Sequence, residues 1–598
     1  MFTLEIIIVL TVLVLAIIMF ASERFSVDVV ALIIMSVLII TGVVSPEQGV
    51  SGFSNSATIT VAAMFILSAA LFKSGAVLGL GNKLASLFQY NFWLAIATTM
   101  LTIGLVSAFI NNTPVVAIFI PILAGAAIKS GNNLGKMLMP LSFASMFGGL
   151  CTLIGTSTNI LVSGIAAEHG LEPFAMFEMG KMGLVFFGVG LIYMITIGIR
   201  LIPKRGGTGG LVQKFGMGEY LTEIVLEPTA STVGMSIAES PLTKKLDIDI
   251  LEVNRKGQKF FMPASKMVLE AGDILKVRCD LEKIKSLIER EGVALKTKRK
   301  FGDQDIENED VVLVEAVIAP NSEFEGKTVK EIAFRQRYGS TVLAIRHRGE
   351  IMREKVANTV LRSGDTLLIE AQREKLDALR ELQLHGRNTF LIVNEVGFEK
   401  YKTEKIGYVV GTIIGIIALA ALNILPIMVA ALIGCIFLIV THCISMEEAY
   451  RAINWKVIFL LAGAMSLGVA MDESGAAKLL SGLLIEGAGS WGPTAVVSIL
   501  YLITVIMTSV MSNNASAVLL APIAIAAAIA MDVDARPFLM AITFAASSSF
   551  MTPIGYQTNT MIYGAGDYKF KDFVVVGGPL NLIFWIIATF MIPVFFPF

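Results

Sequence analysis

The stretch INNTPVVAIFIPI, residues 110–122, places two amides, a hydroxyl and a proline between apolar residues. The apolar pieces on either side, residues 97–110 and 115–128, hold about 14 residues each. At 1.5 Å per residue each is ~21 Å long, too short to cross a hydrocarbon core of ~30 Å. Pro114 has no backbone N–H and disfavours helix at Thr113, so we predict that the chain breaks there.

Two interpretations of this break compete. One is a single tilted or kinked helix of about 30 residues, and the other is a re-entrant hairpin with Asn111, Asn112 and Thr113 at its tip. Lys83 before the segment and Lys129 after it favour the hairpin, because basic flanks mark the same, cytoplasmic face.

The composition of the whole chain agrees with a membrane location. Of 598 residues 55% are hydrophobic and only 16% are charged, with a mean hydropathy of +0.74. We therefore predict a polytopic α-helical protein of the plasma membrane, in contact with the lipid bilayer. The net charge of -1 gives no reason to expect a nucleic-acid partner, and the sequence has no pattern of an enzyme or of an organic cofactor site. Apolar runs that could span include residues 4–20, 29–44, 184–202, 406–424 and 573–594.

The composition changes at Pro203 and changes back near Lys405. We predict four domains: a first transmembrane repeat (1–202), two soluble α/β domains (203–300 and 301–404) and a second transmembrane repeat (405–598). The soluble insert repeats itself, since VLEAGDILKV (268–277) matches VLRSGDTLLI (360–369). Each copy continues into a charged segment, LEKIKSLIER (281–290) or REKLDALREL (373–382), that is predicted to be helical.

Both copies resemble the TrkA-C domain, the C-terminal domain of regulators of potassium conductance. The resemblance implies a small α/β module that often dimerises and sometimes binds a small-molecule or nucleotide regulator. A dimerisation module without a ligand is the alternative.

The two membrane segments also match each other. IGTSTN (154–159) matches IGYQTN (554–559), and INNTPVVAIFIP (110–121) matches MSNNASAVLLAP (511–522), at offsets of 400 and 401. We count five spans in each half, one of them a broken helix, plus a re-entrant hairpin. An odd number of spans predicts an inverted repeat, with the insert in the cytoplasm beside Arg200 and Lys405. Duplicated halves with interrupted spans are typical of a transporter.

Broken helices at membrane depth expose backbone groups that must line a cavity or be buried in protein. Half-helix N-termini favour an anion, whereas exposed carbonyls, amide oxygens and hydroxyls suit Na⁺. The second tip is Ser512-Asn513-Asn514, and the two loops are residues 155–159 and 555–559.

These paired tips and loops resemble those of the divalent anion/sodium symporter family. The resemblance implies two sodium sites, formed by Ser107, Asn111, Asn112 and Gly155, and by Thr508, Met511, Asn513 and Gly555. It implies an anion site between them, formed by Asn112, Thr113, Thr156, Ser157, Asn513, Asn514, Tyr556 and Gln557. It further implies an elevator-type motion against the scaffold of a homodimer, with Na⁺ as the coupling ion.

The sequence departs from the family pattern in ways that bear on the substrate. Dicarboxylate carriers of this family often have Pro-Pro before the loop Asn, where this chain has Ser157-Thr158 and Gln557-Thr558. These hydrogen-bonding loops favour a compact tetrahedral oxyanion, so we predict sodium-coupled sulfate symport, regulated by the soluble domains. A C4-dicarboxylate carrier and a cation/proton antiporter of a related fold remain alternatives, although the spans hold almost no acidic residues for a proton relay.

Overall fold

The computed structural model describes most of the chain. The described residues are 3–22, 25–203, 221–244, 248–261, 263–278, 293–295, 311–319, 322–347, 350–352, 356–372, 390–392, 402–422, 424–488 and 491–598. The chain divides into two compact units, one of Met1–Arg205 with Val396–Phe598 and one of Gly206–Glu395. Seven helices among the described residues are long and apolar enough to cross a membrane, so the predicted polytopic helical architecture is confirmed.

The described residues of the first half of the membrane unit include ten α-helices of five or more residues. They are α1 (Leu4–Ser22), α2 (Val27–Ile40), α3 (Pro46–Val50), α4 (Ser56–Ser74), α5 (Ala76–Leu87), α6 (Phe92–Ser107), α7 (Asn112–Ser130), α8 (Gly135–Gly149), α9 (Ser157–Glu168) and α10 (Gly180–Tyr193). A π-helical turn, Met194–Gly198, and the short helix Ile199–Leu201 extend α10. Helices α8 and α9 are the two parts of the predicted broken span.

The break in the opening stretch lies slightly earlier than predicted. Helix α6 ends at Ser107, and α7 begins at Asn112, with the side-chain oxygen of Asn111 accepting from the Thr113 N–H at 3.2 Å. Pro114 therefore lies in the first turn of α7 instead of ending a helix. The first turn tolerates proline because its N–H groups have no partner within the helix.

The described residues of the soluble unit form two five-stranded antiparallel sheets. The first has the order β3-β2-β4-β1-β5 and the second the order β10-β6-β9-β7-β8. The strands are β1 (Leu221–Leu226), β2 (Asp249–Arg255), β3 (Gln258–Phe261), β4 (Ile274–Arg278), β5 (Val293–Leu295), β6 (Val311–Ile318), β7 (Ser340–His347), β8 (Glu350–Met352), β9 (Thr366–Gln372) and β10 (Phe390–Ile392). Two short helices accompany them, α11 (Pro241–Lys244) and α12 (Phe334–Tyr338). Read in the opposite direction, the second order repeats the first.

The matching Gly-Asp turns occupy equivalent places in the two sheets. Gly272 and Gly364 have positive φ angles of 85° and 84°, which glycine adopts without a steric penalty. The carboxylate of Asp273 binds Arg255, whereas that of Asp365 lies 2.6 Å from Nδ1 of His347. The two charged segments that follow these strands, 281–290 and 373–382, lie outside the described residues.

The described residues of the second half of the membrane unit include another ten α-helices. They are α13 (Ile406–Ala421), α14 (Ile427–Val440), α15 (Met446–Ala452), α16 (Trp455–Ser474), α17 (Ala476–Ala488), α18 (Pro493–Thr508), α19 (Asn513–Ala530), α20 (Arg536–Ser547), α21 (Gln557–Ala565) and α22 (Phe570–Phe595). Each follows its counterpart in the first half by about 400 residues along the chain.

The two halves pack through reciprocal helix pairs. Helix α2 packs against α16, and α14 packs against α4. A Cβ added to Gly463 would lie 2.5 Å from the carbonyl oxygen of Ala31, so the missing side chain lets α2 and α16 approach closely. In the other pair, the thiol of Cys435 donates to the carbonyl of Ala63 at 3.4 Å.

Polar contacts at the helix ends are reciprocal as well. Gln48, which precedes α4, donates to Glu473 near the end of α16 at 2.5 Å. Lys73, near the end of α4, pairs with Glu448, which precedes α16. Because these residues are related by an offset of 400, the two contacts are equivalent.

Candidate functional site

The first tip meets the loop of the second half. Asn112 is 1% exposed, and its amide nitrogen donates to the hydroxyl of Tyr556 at 2.6 Å. The hydroxyl of Thr113 donates to Oε1 of Gln557 at 2.9 Å. These two loop residues are thus held against the start of α7, where the partial positive charge of the helix is concentrated.

The second tip meets the loop of the first half in the same way. The amide nitrogen of Asn513 donates to the hydroxyl of Thr158 at 2.8 Å, and this hydroxyl donates to Oδ1 of Asn514 at 2.8 Å. The hydroxyl oxygen of Ser157 lies 3.3 Å from Oδ1 and 3.2 Å from Nδ2 of Asn514. Each tip therefore binds the loop of the other half.

Two asparagines hold the loops in place. Asn159 donates to the carbonyl oxygens of Gly149 at 3.0 Å and Thr152 at 2.9 Å. In the second half, Asn559 makes the corresponding bonds at 2.8 and 3.2 Å, to residues 549 and 552. These side chains satisfy backbone carbonyls that the end of a broken helix leaves without partners.

The residues assigned to the first cation lie on neighbouring segments. The hydroxyl of Ser107 and Oδ1 of Asn112 are buried and have no hydrogen-bond partner among the described residues. A Cβ on Gly149 would lie 3.0 Å from that Oδ1, and a Cβ on Gly155 would lie 2.6 Å from the carbonyl oxygen of Gly149. Buried oxygens without donors cost free energy unless a ligand compensates them, and a hard cation is such a ligand. The side chain of Asn111, by contrast, caps α7.

The residues assigned to the second cation lie at the end of α18 and in the loop before α21. A Cβ on Gly555 would lie 2.3 Å from the carbonyl oxygen of Thr508, so the two backbones are in direct contact. The Thr508 hydroxyl donates to the carbonyl of Ala546 at 3.0 Å. Met511 is buried in the turn that precedes Asn513.

Some residues of this contact network were not assigned by sequence. Thr158 connects the two asparagines of the second tip. The hydroxyl of Ser142 in α8 donates to Oδ1 of Asn559 at 2.7 Å, and its oxygen lies 2.8 Å from the hydroxyl oxygen of Thr558. Thr158 was recognisable because the loop carries a threonine before its asparagine in both halves, whereas nothing in the sequence distinguishes Ser142 from Ser145 of the same helix.

The polar contacts between tips and loops are made by neutral groups. In the described part of the chain, the hydrogen bonds that join a tip of one half to a loop of the other involve amides and hydroxyls and no ionised side chain. Apolar helices of spanning length and broken helices from two related halves that meet at polar tips are the features of an integral, multi-pass membrane transporter.

Comparison with known proteins places this transporter in a family. Residues 17–543 match CitMHS, the citrate transporter family, and the chain belongs to it. It is 36% identical over 96% of its length to the uncharacterized transporter sll0640 of Synechocystis, of which 94% is covered. It is 30% identical over 99% of its length to the uncharacterized transporter YfbS of Escherichia coli, which is covered completely at 100%. It is also 22% identical over 92% of its length to sodium/sulfate cotransporter 2 of Chlamydomonas reinhardtii, of which 85% is covered.

Proposed function

We propose that this protein is a secondary transporter of the divalent anion/sodium symporter type, which couples the uptake of a divalent oxyanion, sulfate, to Na⁺. The observation that carries the proposal is the reciprocal contact between each tip and the opposite loop, formed by neutral donors and acceptors. An anion can bind there through amide and hydroxyl donors and two helix N-termini, while buried oxygens such as those of Ser107 and Asn112 receive the cation.

The anion site, in this proposal, is formed by those tip and loop residues that keep some contact with solvent. Thr113, Ser157 and Asn513 are partly exposed, and Gln557 is exposed. Asn112, Thr156, Asn514 and Tyr556 are buried and complete the site. Asn514 contacts Ser157, and the hydroxyl of Tyr556 connects Asn112 with Thr156. Met511 and Gly555 contribute to the second sodium site through their backbone.

The choice of sulfate has two supports. The loops present a hydroxyl at Ser157 and an amide at Gln557, where prolines would offer no donor. A relative that covers most of the chain is named a sodium/sulfate cotransporter. The family description, citrate transporter, supports the second candidate, a carrier of C4-dicarboxylates or related carboxylates. The neutral contacts do not favour a cation/proton antiporter, which needs an ionisable group at membrane depth.

We further propose that the two halves are inverted relative to each other. The helix that precedes α4 contacts the end of α16, and the end of α4 contacts the helix that precedes α16. Helices joined in this manner at both ends run antiparallel, which is the arrangement of inverted repeats. An elevator-type motion, a homodimeric scaffold and regulation through two TrkA-C domains complete the proposal. The equal strand order of the two sheets supports a duplicated module in the insert.

Uptake of labelled sulfate into proteoliposomes tests the function. With an inward sodium gradient the purified protein is expected to accumulate sulfate, and with potassium in place of sodium it is expected not to. Uptake that is equally fast without sodium would refute the coupling, and uptake of labelled succinate but not of sulfate would favour the second candidate.

A further inference from the structure

Tyr556 breaks the correspondence between the two loops. Its equivalent in the first half, 400 residues earlier, is Thr156, and the next position differs as well, with Ser157 in the first half and Gln557 in the second. The rest of the loop matches: Ile154 and Gly155 before this pair correspond to Ile554 and Gly555, and Asn159 after it corresponds to Asn559. One side of the paired site thus carries a small hydroxyl side chain, and the other carries a phenol.

The phenol lies between the two halves. Tyr556 is 6% exposed, and its hydroxyl accepts from the amide of Asn112 at 2.6 Å and donates to the hydroxyl of Thr156 at 3.2 Å. The aromatic ring therefore reaches from the second loop to the first loop and the first tip. Space that two small side chains would leave open is filled by the ring.

The ring lies between closely packed segments. The backbone before it, at Gly555, is in contact with the carbonyl of Thr508, which leaves no space there for an added carbon atom. On the other side a Cβ at Gly149 would lie only 2.9 Å from the amide nitrogen of Asn112, so this amide is packed against α8. A closely packed wall of this kind resists deformation.

We propose that Tyr556 determines which size of substrate the site accepts. This inference rests on the proposed function of the site. A tetrahedral oxyanion presents all its oxygens around one atom and can be bound by donors on one side of the ring. A four-carbon dicarboxylate needs donors for two separated carboxylates, and the ring occupies part of the path between them. Discrimination of this kind acts by steric exclusion of the longer anion.

Two substitutions separate the ring from its hydroxyl. Tyr556→Thr restores the residue of the first half and opens the space. Tyr556→Phe keeps the ring and removes the hydroxyl, leaving the Asn112 N–H without its acceptor. The readouts are the KM for labelled sulfate and the inhibition constant of succinate, both from sodium-dependent uptake by the full-length protein in proteoliposomes.

The expected results differ between the variants. In Tyr556→Thr, the ratio of the succinate inhibition constant to the sulfate KM falls at least about tenfold, a typical size for a change in steric fit. In Tyr556→Phe that ratio stays as in the wild type, while the sulfate KM rises about tenfold, because a buried donor loses its partner. Where Tyr556→Thr does not fold, as judged by size-exclusion chromatography, Tyr556→Leu provides the comparison without the ring.

The possible results distinguish a failure of the role of Tyr556 from a failure of the proposed function. An unchanged ratio in the folded variants without the ring, or an equal change in Tyr556→Phe, would overturn the role of Tyr556 and leave sodium-coupled sulfate transport standing. A wild-type protein that shows no sodium-dependent sulfate uptake would overturn the proposed function, and the role of Tyr556 in sulfate selection with it.

Discussion

Replacing Gly555 by alanine places a methyl group where two backbone segments of the second half touch. The added Cβ would lie 2.3 Å from the carbonyl oxygen of Thr508 and 2.0 Å from the hydroxyl oxygen of Ser549. An ordinary van der Waals contact lies at 3.4–4 Å. The Ser549 hydroxyl also donates to the Thr508 carbonyl at 3.2 Å, so the two groups that the methyl group would meet are bonded to each other.

The size of the expected loss of uptake and of stability follows from this overlap. The loop has to move by about 1 Å to restore contact distance, and a displacement of that size at a binding site lowers rates about a hundredfold. Overpacking costs about 1–3 kcal/mol of stability. We therefore expect Gly555→Ala to fold with a lowered Tm, and to lose most of its sodium-dependent sulfate uptake.

A matched control is available in α10. A Cβ added to Gly188 meets no atom within 4 Å, and alanine is favoured over glycine inside a helix by about 1 kcal/mol. Gly188→Ala is therefore expected to keep its uptake and to unfold at the wild-type Tm or slightly above it.

The assay combines uptake in proteoliposomes with thermal unfolding in detergent, with and without NaCl. Sodium should raise the Tm of the wild type and of Gly188→Ala, and should have a weaker effect on Gly555→Ala. Wild-type uptake and a wild-type sodium response in Gly555→Ala would refute the placement of the second cation beside Gly555.

Three other predictions concern the contacts around the site. Thr113→Ala and Gln557→Ala should show a coupling energy of about 0.5–1.5 kcal/mol in a double-mutant cycle on sulfate affinity, because each removes the same hydrogen bond; purely additive effects would contradict this contact. Asn159→Ala should lower the free energy of unfolding by about 1–3 kcal/mol in thermal denaturation, since two buried carbonyls lose their donor, and an unchanged Tm would argue against this role. The pKa of His169 is lowered by burial but raised on balance above 6.5 by the hydrogen bond and charge of Asp472, whose Oδ2 lies 2.5 Å from Nε2 of His169. This contact should therefore stabilise the fold fully below pH 6.5, and the stabilisation should be lost as the pH rises through the raised pKa. His169→Gln should remove that part of the pH dependence of Tm. A variant with the same pH profile of Tm as the wild type would contradict this role of His169.

The sequence was sufficient to locate the discontinuities. Asn, Gly and Pro within apolar runs change the local backbone preference, and their recurrence at an offset of 400 showed that the breaks come in pairs. The transporter class, the membrane location and the helical fold follow from these features and from hydrophobic length. A soluble insert could be predicted because its composition and its Gly-Asp turns differ from those of the spans.

Other features depend on contacts that no local pattern encodes. Sequence placed the tips and loops near a common centre but did not show that Asn112 binds the opposite loop through Tyr556, because this pairing arises from packing between the halves. The start of α7 was misplaced by the weight given to Pro114, since the cap at Asn111 permits proline in the first turn. The role of Asn159 in binding backbone carbonyls likewise required the geometry of the broken helix.

Sulfate binding as a function of sodium concentration tests the central claim most directly. Binding of labelled sulfate to the purified full-length protein is measured at constant ionic strength, with choline replacing sodium. If the tips and loops bind both ions at adjoining sites, the apparent Kd for sulfate should fall as sodium rises and then level off, and sulfate should strengthen sodium binding by the same factor. A Kd that is the same with and without sodium would contradict the account.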